Sequence, residues 1–158
     1  MFSIHKDKTK EWTPIDFKDV NIKDMNVAVI GGTNGIGQAI SRSLVQNGAK
    51  VTVVGRTLRE NDETSRKVHF IETSDLGLMK EANRISTELI GINKKTPFTH
   101  VIFTTGILAS PSREETKEGI ERDMATSYLN RFVILNHLAP SLKQSFNLEI
   151  TDHDNNIR

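Results

Sequence analysis

Four glycines fall within the seven-residue stretch GGTNGIG at 31–37, which separates an apolar run from an amphipathic one. A glycine at a strand end permits a tight turn, a second lets a phosphate approach the backbone, and a third lets a helix pack closely on the strand. Gly31, Gly35 and Gly37 have the spacing for these roles. A helix beginning there directs its unpaired N–H groups at the same phosphates. The stretch therefore predicts a cradle for the diphosphate of a dinucleotide.

The residues predicted to form this cradle are Gly31, Gly32, Thr33, Asn34, Gly35, Ile36 and Gly37. In the alternative interpretation, the glycines make a sharp strand-to-helix turn and bind nothing.

The next apolar run, VTVVGRT, ends about 20 residues past the glycines, where a residue contacts the adenosine ribose in dinucleotide-binding folds. A carboxylate there would accept hydrogen bonds from both ribose hydroxyls, but this chain has Arg56 followed by Thr57. A guanidinium offers a planar, permanently charged fork to a 2′-phosphate. Arg56 and Thr57 therefore favour NADP(H) over NAD(H); the alternative is an ordinary exposed loop arginine.

Short β-branched runs that predict buried strands recur along the chain. They are NVAVIG at 26–31, KVTVVG at 50–55, VHFIET at 68–73 and HVIFTTG at 100–106.

Helical spacing of apolar residues separates these runs. Between the first two strands, Ile36, Ile40 and Leu44 predict a crossover helix of about a dozen residues that the glycine of 47–49 ends. A second helix is predicted over roughly 75–90, with Ser74 or Asp75 as its cap.

The longest predicted helix runs from about 116 to 138. Its predicted inward stripe comprises Ile120, Met124, Tyr128, Phe132 and Leu135. We expect a capping box in SREE at 112–115 to precede it and Pro140 to stop it. Val133, Ile134 and His137 are expected on its outer face.

Alternating strands and helices predict an α/β fold, a doubly wound parallel sheet with helices on both faces. The expected strand order is 3-2-1-4, which leaves the fourth strand near an edge. We predict an N-terminal arm at 1–25, the sheet domain at 26–145 and a short tail at 146–158. The candidate fifth strand is FNLEIT at 146–151.

With these residues in hand, the sequence at 26–140 resembles the short-chain dehydrogenase/reductase family, a Rossmann-type fold. The glycine spacing is similar to that family's T-G-x-x-x-G-x-G, with Ile30 at the threonine. Asp75-Leu76 resembles the pair that meets the adenine ring, and FTTG at 103–106 stands where the family has N-N-A-G. The run IFTTGI is similar to an uncharacterised fungal branch.

The resemblance implies cofactor contacts from Asp75, Leu76, Thr105 and Gly106, and it puts Ser127 at the family's active-site asparagine. It also implies a catalytic serine and a Tyr-x-x-x-Lys segment, in which the tyrosine moves the hydroxyl proton. The chain has one tyrosine, Tyr128, and Phe132 stands at the lysine position. We therefore expect cofactor binding without independent catalysis. The alternative is a non-catalytic nucleotide-sensing or protein-interaction module that uses the long helix at 116–138.

Composition excludes several other classes. The 21 basic and 20 acidic residues are interspersed, which argues against nucleic acid and anionic membranes as partners. Cysteine is absent, and five scattered histidines show no metal-ligand spacing, so no metal site is expected. Without a signal peptide or membrane-spanning run, we expect a cytoplasmic protein.

An apolar edge at the fourth strand and the long helix suggest a homo-oligomer or a partner chain.

Overall fold

The β-branched runs form the strands of a parallel sheet in the computed structural model, which describes residues 21–58, 65–108 and 112–146. The strands are β1 (Asn26–Ile30), β2 (Lys50–Gly55), β3 (His69–Glu72) and β4 (His100–Phe103). The helices are α1 (Gly35–Gln46), α2 (Met79–Lys95), α3 (Arg122–Met124), a π-helical segment (Ala125–Leu129) and α4 (Asn130–Phe146). Short 3-10 turns occupy Ile22–Asp24 and Ser65–Lys67.

The sheet has the order β3-β2-β1-β4, and every neighbouring pair of strands is parallel. In the centre of the sheet, Val29 of β1 lies opposite Val53 of β2 on one side and Ile102 of β4 on the other. This arrangement confirms the predicted fold class. Phe146, the first residue of the candidate fifth strand, is the last residue of α4. The rest of that candidate strand and of the tail lies outside the described residues, as does most of the predicted N-terminal arm.

Alternate residues of β1 serve two separate apolar cores, because successive strand side chains point to opposite faces. Ala28 and Ile30 join a cluster with residues of α2 and α4. Val27 and Val29 join a second cluster, against which Leu44 of α1 packs. Helices therefore cover both faces of the sheet, as the sequence predicts.

The second helix begins and ends later than the sequence predicts. It spans Met79–Lys95, and its N-cap residue Leu78 makes no side-chain capping bond. Neither Ser74 nor Asp75 caps it. Glu118, 39 residues further along the chain, does so by accepting hydrogen bonds from Met79 N at 2.6 Å and Lys80 N at 3.2 Å.

The start and end predicted for the long helix are also wrong. It begins at Arg122, and Glu121 caps it by accepting from Asp123 N at 2.9 Å and Met124 N at 2.7 Å, in place of the box at 112–115. Pro140 lies inside α4 and does not stop it. Pro140 and Asn136 are both exposed, so the carbonyl that loses its N–H donor faces water.

The predicted inward stripe of this helix faces outward. Met124, Tyr128, Phe132 and Leu135 are 50%, 60%, 58% and 42% exposed, whereas Ile134, expected outside, is fully buried. Met124 precedes the π-helical segment and is already exposed, so the predicted stripe lies on the wrong face from the start of the helix. The wider turn of the segment then places the next buried residues at Asn130 and Ile134 after Ala125.

None of the described helices has the length and apolar character that crossing a lipid bilayer requires.

Candidate functional site

The glycine loop follows β1 directly and turns the chain into α1. Gly31 has φ +91°, a conformation that favours glycine, and its N–H donates to the Val54 carbonyl at 2.8 Å. A Cβ at Gly31 would lie 2.8 Å from Thr104 Oγ1. The first glycine is therefore required both by the turn and by the neighbouring strand end.

Two further glycines of the loop have different surroundings. A Cβ on Gly37 would overlap the carbonyl oxygen of Gly31 and the hydroxyl of Thr104, so the helix packs tightly on the loop. Gly35 has φ +51°, and no atom beyond its own chain neighbourhood lies within 4 Å of where its Cβ would be. The backbone at Gly35 is open to an approaching group.

The start of α1 carries no side-chain cap. Asn34 occupies the N-cap position, and its side chain makes no capping hydrogen bond to the first N–H groups of the helix. Such N–H groups, together with the helix dipole, attract an anion.

A cleft of about 390 Å³ opens in front of this loop. Its lining combines the glycine loop with the residues that follow β2, β3 and β4. The lining residues are Gly31, Thr33, Asn34, Gly35, Ile36, Gly37, Gly55, Arg56, Thr73, Asp75, Leu76, Thr104, Thr105, Gly106, Ile107, Arg122 and Thr126. All four strands of a parallel sheet end at the same edge, which brings these loops together.

Two of the residues proposed from the sequence do not line the cleft. A Cβ at Gly32 would lie 2.8 Å from Ser41 Oγ and 3.0 Å from Val53, so this glycine packs into the domain. Thr57 lies outside the lining. Ile36, which the sequence also predicts on the apolar face of α1, is 77% exposed and faces the cleft.

Arg56 is the exposed residue directly after β2, and its side chain lines the cleft. The preceding residue, Gly55, leaves no room for a side chain because a Cβ there would overlap the side chain of Thr33. This close packing joins the glycine loop to the end of β2 and brings Arg56 to the cleft.

The loop after β3 carries Asp75 and is fastened to α2. Asp75 Oδ1 accepts from Gly77 N at 2.8 Å, which forms a tight turn. Glu81 accepts from Thr73 Oγ1 at 3.2 Å and from Ser74 N at 3.3 Å. Hydrogen bonding from Arg84 holds the pKa of Glu81 below its usual value, so Glu81 remains a charged acceptor at neutral pH.

The residues after β4 form the far wall of the cleft. Both the backbone N–H and the hydroxyl of Thr104 donate to the Ile30 carbonyl, at 2.9 and 3.1 Å. Thr105 Oγ1 is buried and has no hydrogen-bond partner among the described residues. A buried hydroxyl without a partner costs free energy, so this atom is a candidate contact for a bound molecule.

Ser127 lies behind this wall and does not line the cleft. Its Oγ accepts a hydrogen bond from Ile107 N at 3.4 Å, and Arg131 donates to the Thr105 carbonyl. The helix that follows thus holds the loop after β4 in place.

Six cleft residues are absent from the set proposed from the sequence, namely Gly55, Thr73, Thr104, Ile107, Arg122 and Thr126. Thr104 lies in the FTTG stretch at 103–106, directly before Thr105, so the sequence does point to it. Arg122 and Thr126 reach the cleft through the fold of 112–121, which has no local sequence signature. Within the described ranges, no three histidine, aspartate or glutamate residues group closely enough to hold a metal ion.

Comparison with known proteins agrees with this architecture. The family model described as short chain dehydrogenase matches residues 25–147, so the chain belongs to the short-chain dehydrogenase family. An uncharacterised oxidoreductase of Saccharomyces cerevisiae is 46% identical over 140 residues, covering 87% of this chain and 43% of that protein. An uncharacterised oxidoreductase of Schizosaccharomyces pombe is 29% identical over 130 residues, covering 73% of this chain and 34% of that protein.

Solved structures share the fold at low sequence identity. A short chain dehydrogenase from Leptospira borgpetersenii with bound NAD+ has a TM-score of 0.63 at 21% identity, covering 85% of this chain and 52% of that one. ElxO with NADP bound has a TM-score of 0.57 at 18% identity, covering 76% and 51%. The chain spans less than half the length of these two curated relatives.

Proposed function

We propose that this chain binds NADP(H) in the cleft and forms the cofactor-binding part of an oxidoreductase that interconverts a carbonyl and an alcohol. The observation that carries the proposal is the open backbone at Gly35, beside the uncapped start of α1. An anionic diphosphate there would meet N–H groups that the Asn34 side chain leaves uncapped. These residues therefore fit the diphosphate of a dinucleotide.

Arg56 supports the choice of NADP(H). In this proposal its guanidinium pairs with the 2′-phosphate on the adenosine ribose, where a carboxylate would repel that group. Of two solved structures that share the fold, one contains bound NAD+ and the other bound NADP, so the fold accommodates both. The cation at the end of β2 favours the phosphorylated form in this chain.

The remaining cleft residues divide between the two ends of the cofactor. Asp75 and Leu76 would contact the adenine, since the hydrogen bond from Gly77 N already positions the Asp75 side chain. Thr105 and Gly106 would line the nicotinamide end. The partnerless Thr105 Oγ1 is available there for a hydrogen bond.

Bound NADP(H) would supply or accept the hydride. The described part of this chain binds and orients the cofactor, but no tyrosine lies in the cleft. Tyr128, the single tyrosine of the sequence, is 60% exposed, and Phe132 stands where a lysine would lower its pKa. We therefore propose that this chain alone binds the cofactor without turnover, and a carbonyl reduction assay is expected to read zero.

Titration calorimetry with NADPH and NADH tests the cofactor preference. An ionic hydrogen-bonded pair contributes about 1.5–3 kcal/mol, so Arg56→Ala should weaken NADPH binding roughly 10- to 100-fold and leave NADH binding nearly unchanged. Arg66→Ala is the matched control, because Arg66 is exposed but lies outside the cleft. Equal affinity for both cofactors in the unmutated chain would contradict the role of Arg56.

A protein-interaction role is the second candidate, and the exposed stripe of Met124, Tyr128, Phe132 and Leu135 favours it. Contiguous exposed apolar residues mark interaction surfaces more often than isolated ones. The outer edge of β4 adds unpaired backbone groups, since β4 has a partner strand on one side within the described sheet. We propose that a second copy or a partner chain covers this surface.

Light scattering after size-exclusion chromatography tests this second role. A dimer or larger species is expected at micromolar concentration, and Phe132→Glu should convert it to monomer. Asn136→Glu, at an exposed polar position on the same helix, should leave the assembly intact. A monomer at all concentrations would remove self-association from consideration.

A further inference from the structure

The cleft contains a second cation besides Arg56. Arg122 is the first residue of α3 and lines the same cleft as Asp75 and Leu76. One turn further on, Thr126 Oγ1 lies 3.0 Å from where a Cβ on Gly77 would be. The start of this helix therefore lies against the loop after β3, whereas Arg56 follows β2.

The position of Arg122 is fixed by the loop at 112–121. Its backbone N–H donates to the Glu114 carbonyl at 2.9 Å, and its Nε lies 3.4 Å from Glu114 Oε2. The same loop carries Glu118, which caps α2. The two contacts with Glu114 hold the Arg122 side chain beside the Asp75 loop and leave it 44% exposed towards the cleft and solvent.

We propose that the Arg122 guanidinium stacks on the adenine ring of the bound cofactor, an inference that rests on the proposed function. The guanidinium is planar and weakly hydrated, and it binds aromatic faces through cation–π attraction. The Glu114 carboxylate offsets part of the charge of the Arg122 guanidinium. The guanidinium is therefore better suited to a neutral ring than to a phosphate. Arg122 thus contributes to affinity for any adenine ligand, and Arg56 discriminates the 2′-phosphate.

AMP and 2′,5′-ADP differ only in the 2′-phosphate. They therefore test whether Arg122 contacts the adenine while Arg56 contacts that phosphate. Cation–π contacts at partly exposed sites correspond to roughly a threefold to tenfold change in affinity. Arg122→Ala should weaken AMP and 2′,5′-ADP by the same factor in that range and leave nicotinamide mononucleotide unaffected. Arg122→Lys keeps the charge but loses the planar group, so it should restore only part of the affinity.

Arg113→Ala is the matched control, since Arg113 belongs to the same loop, pairs with Glu115 and does not line the cleft. It should bind both ligands as the unmutated chain does. Thermal unfolding of each variant separates loss of folding from loss of contact.

Each contrary result has its own meaning. Loss confined to 2′,5′-ADP would overturn stacking, because it would make Arg122 a phosphate contact. Unchanged AMP binding by Arg122→Ala, with NADPH still bound by the unmutated chain, would overturn this inference and leave the proposed function standing. An unmutated chain that binds neither NADPH nor AMP would overturn both.

Discussion

The hydroxyl of Thr104 occupies the space that a side chain on Gly37 would need. Thr104 is held there by two hydrogen bonds to the Ile30 carbonyl, at 2.9 and 3.1 Å. The end of β4, the end of β1 and the first turn of α1 are thereby packed into one unit. The glycines of this loop therefore allow close packing between these elements as well as access for a ligand.

Gly37→Ala should destabilise the fold by about 3 kcal/mol or more, because the added methyl overlaps backbone as well as side chain. Removing the Thr104 side chain as well should not restore stability, since the Gly31 carbonyl oxygen stays in place. Urea unfolding measures both. Gly91→Ala is the control: Gly91 lies in α2 with nothing within 4 Å, and alanine there should stabilise by about 0.5–1 kcal/mol.

Capping by Glu118 should contribute measurably to stability. Glu118→Ala removes the acceptor for Met79 N and Lys80 N and should cost about 0.5–2 kcal/mol in the free energy of unfolding. Lys117→Ala, at the exposed neighbouring position, should cost little. An unchanged midpoint for Glu118→Ala in urea would show that water replaces the cap fully.

The cap at Glu121 should make stability depend on pH. Backbone hydrogen bonds from Met124 and Asp123 hold the pKa of Glu121 below its usual value of 4.5. A carboxylate whose pKa is lowered on folding stabilises the fold above its unfolded pKa, and that contribution is lost as pH falls through the folded pKa. Glu121→Gln should therefore be less stable than the unmutated chain at pH 7, with the difference shrinking below pH 4.5. A difference that stays constant down to pH 3 would contradict this assignment.

Local signals explain which parts of the fold the sequence predicts. β-branched runs gave the strands within a few residues, and the glycine spacing identified the loop, because both depend on neighbours in the chain. The cap of α2 was not predictable, since Glu118 is 39 residues away from Met79. The burial of Ile134 was missed because the π-helical segment shifts the helical period before α4 begins.

The residues of the candidate site also fall into those that local sequence signals predict and those that depend on distant contacts. Arg56 and Asp75 follow predicted strands, so the edge of a parallel sheet brings them together. Arg122 reaches the cleft only because the loop at 112–121 closes on itself and on α2, through contacts such as Thr116 N to the Ile120 carbonyl at 2.8 Å. Nothing in the local sequence indicates this closure.

The central claim is that the glycine loop and the start of α1 bind the diphosphate of NADP(H). Backbone amide NMR of the 15N-labelled chain, titrated with NADPH, tests it at the atoms concerned. The account predicts the largest shifts at the N–H groups of Gly35, Ile36 and Gly37, with smaller changes at Arg56 and Asp75. Binding that leaves these amides unshifted, or no shift anywhere at millimolar NADPH, would contradict it.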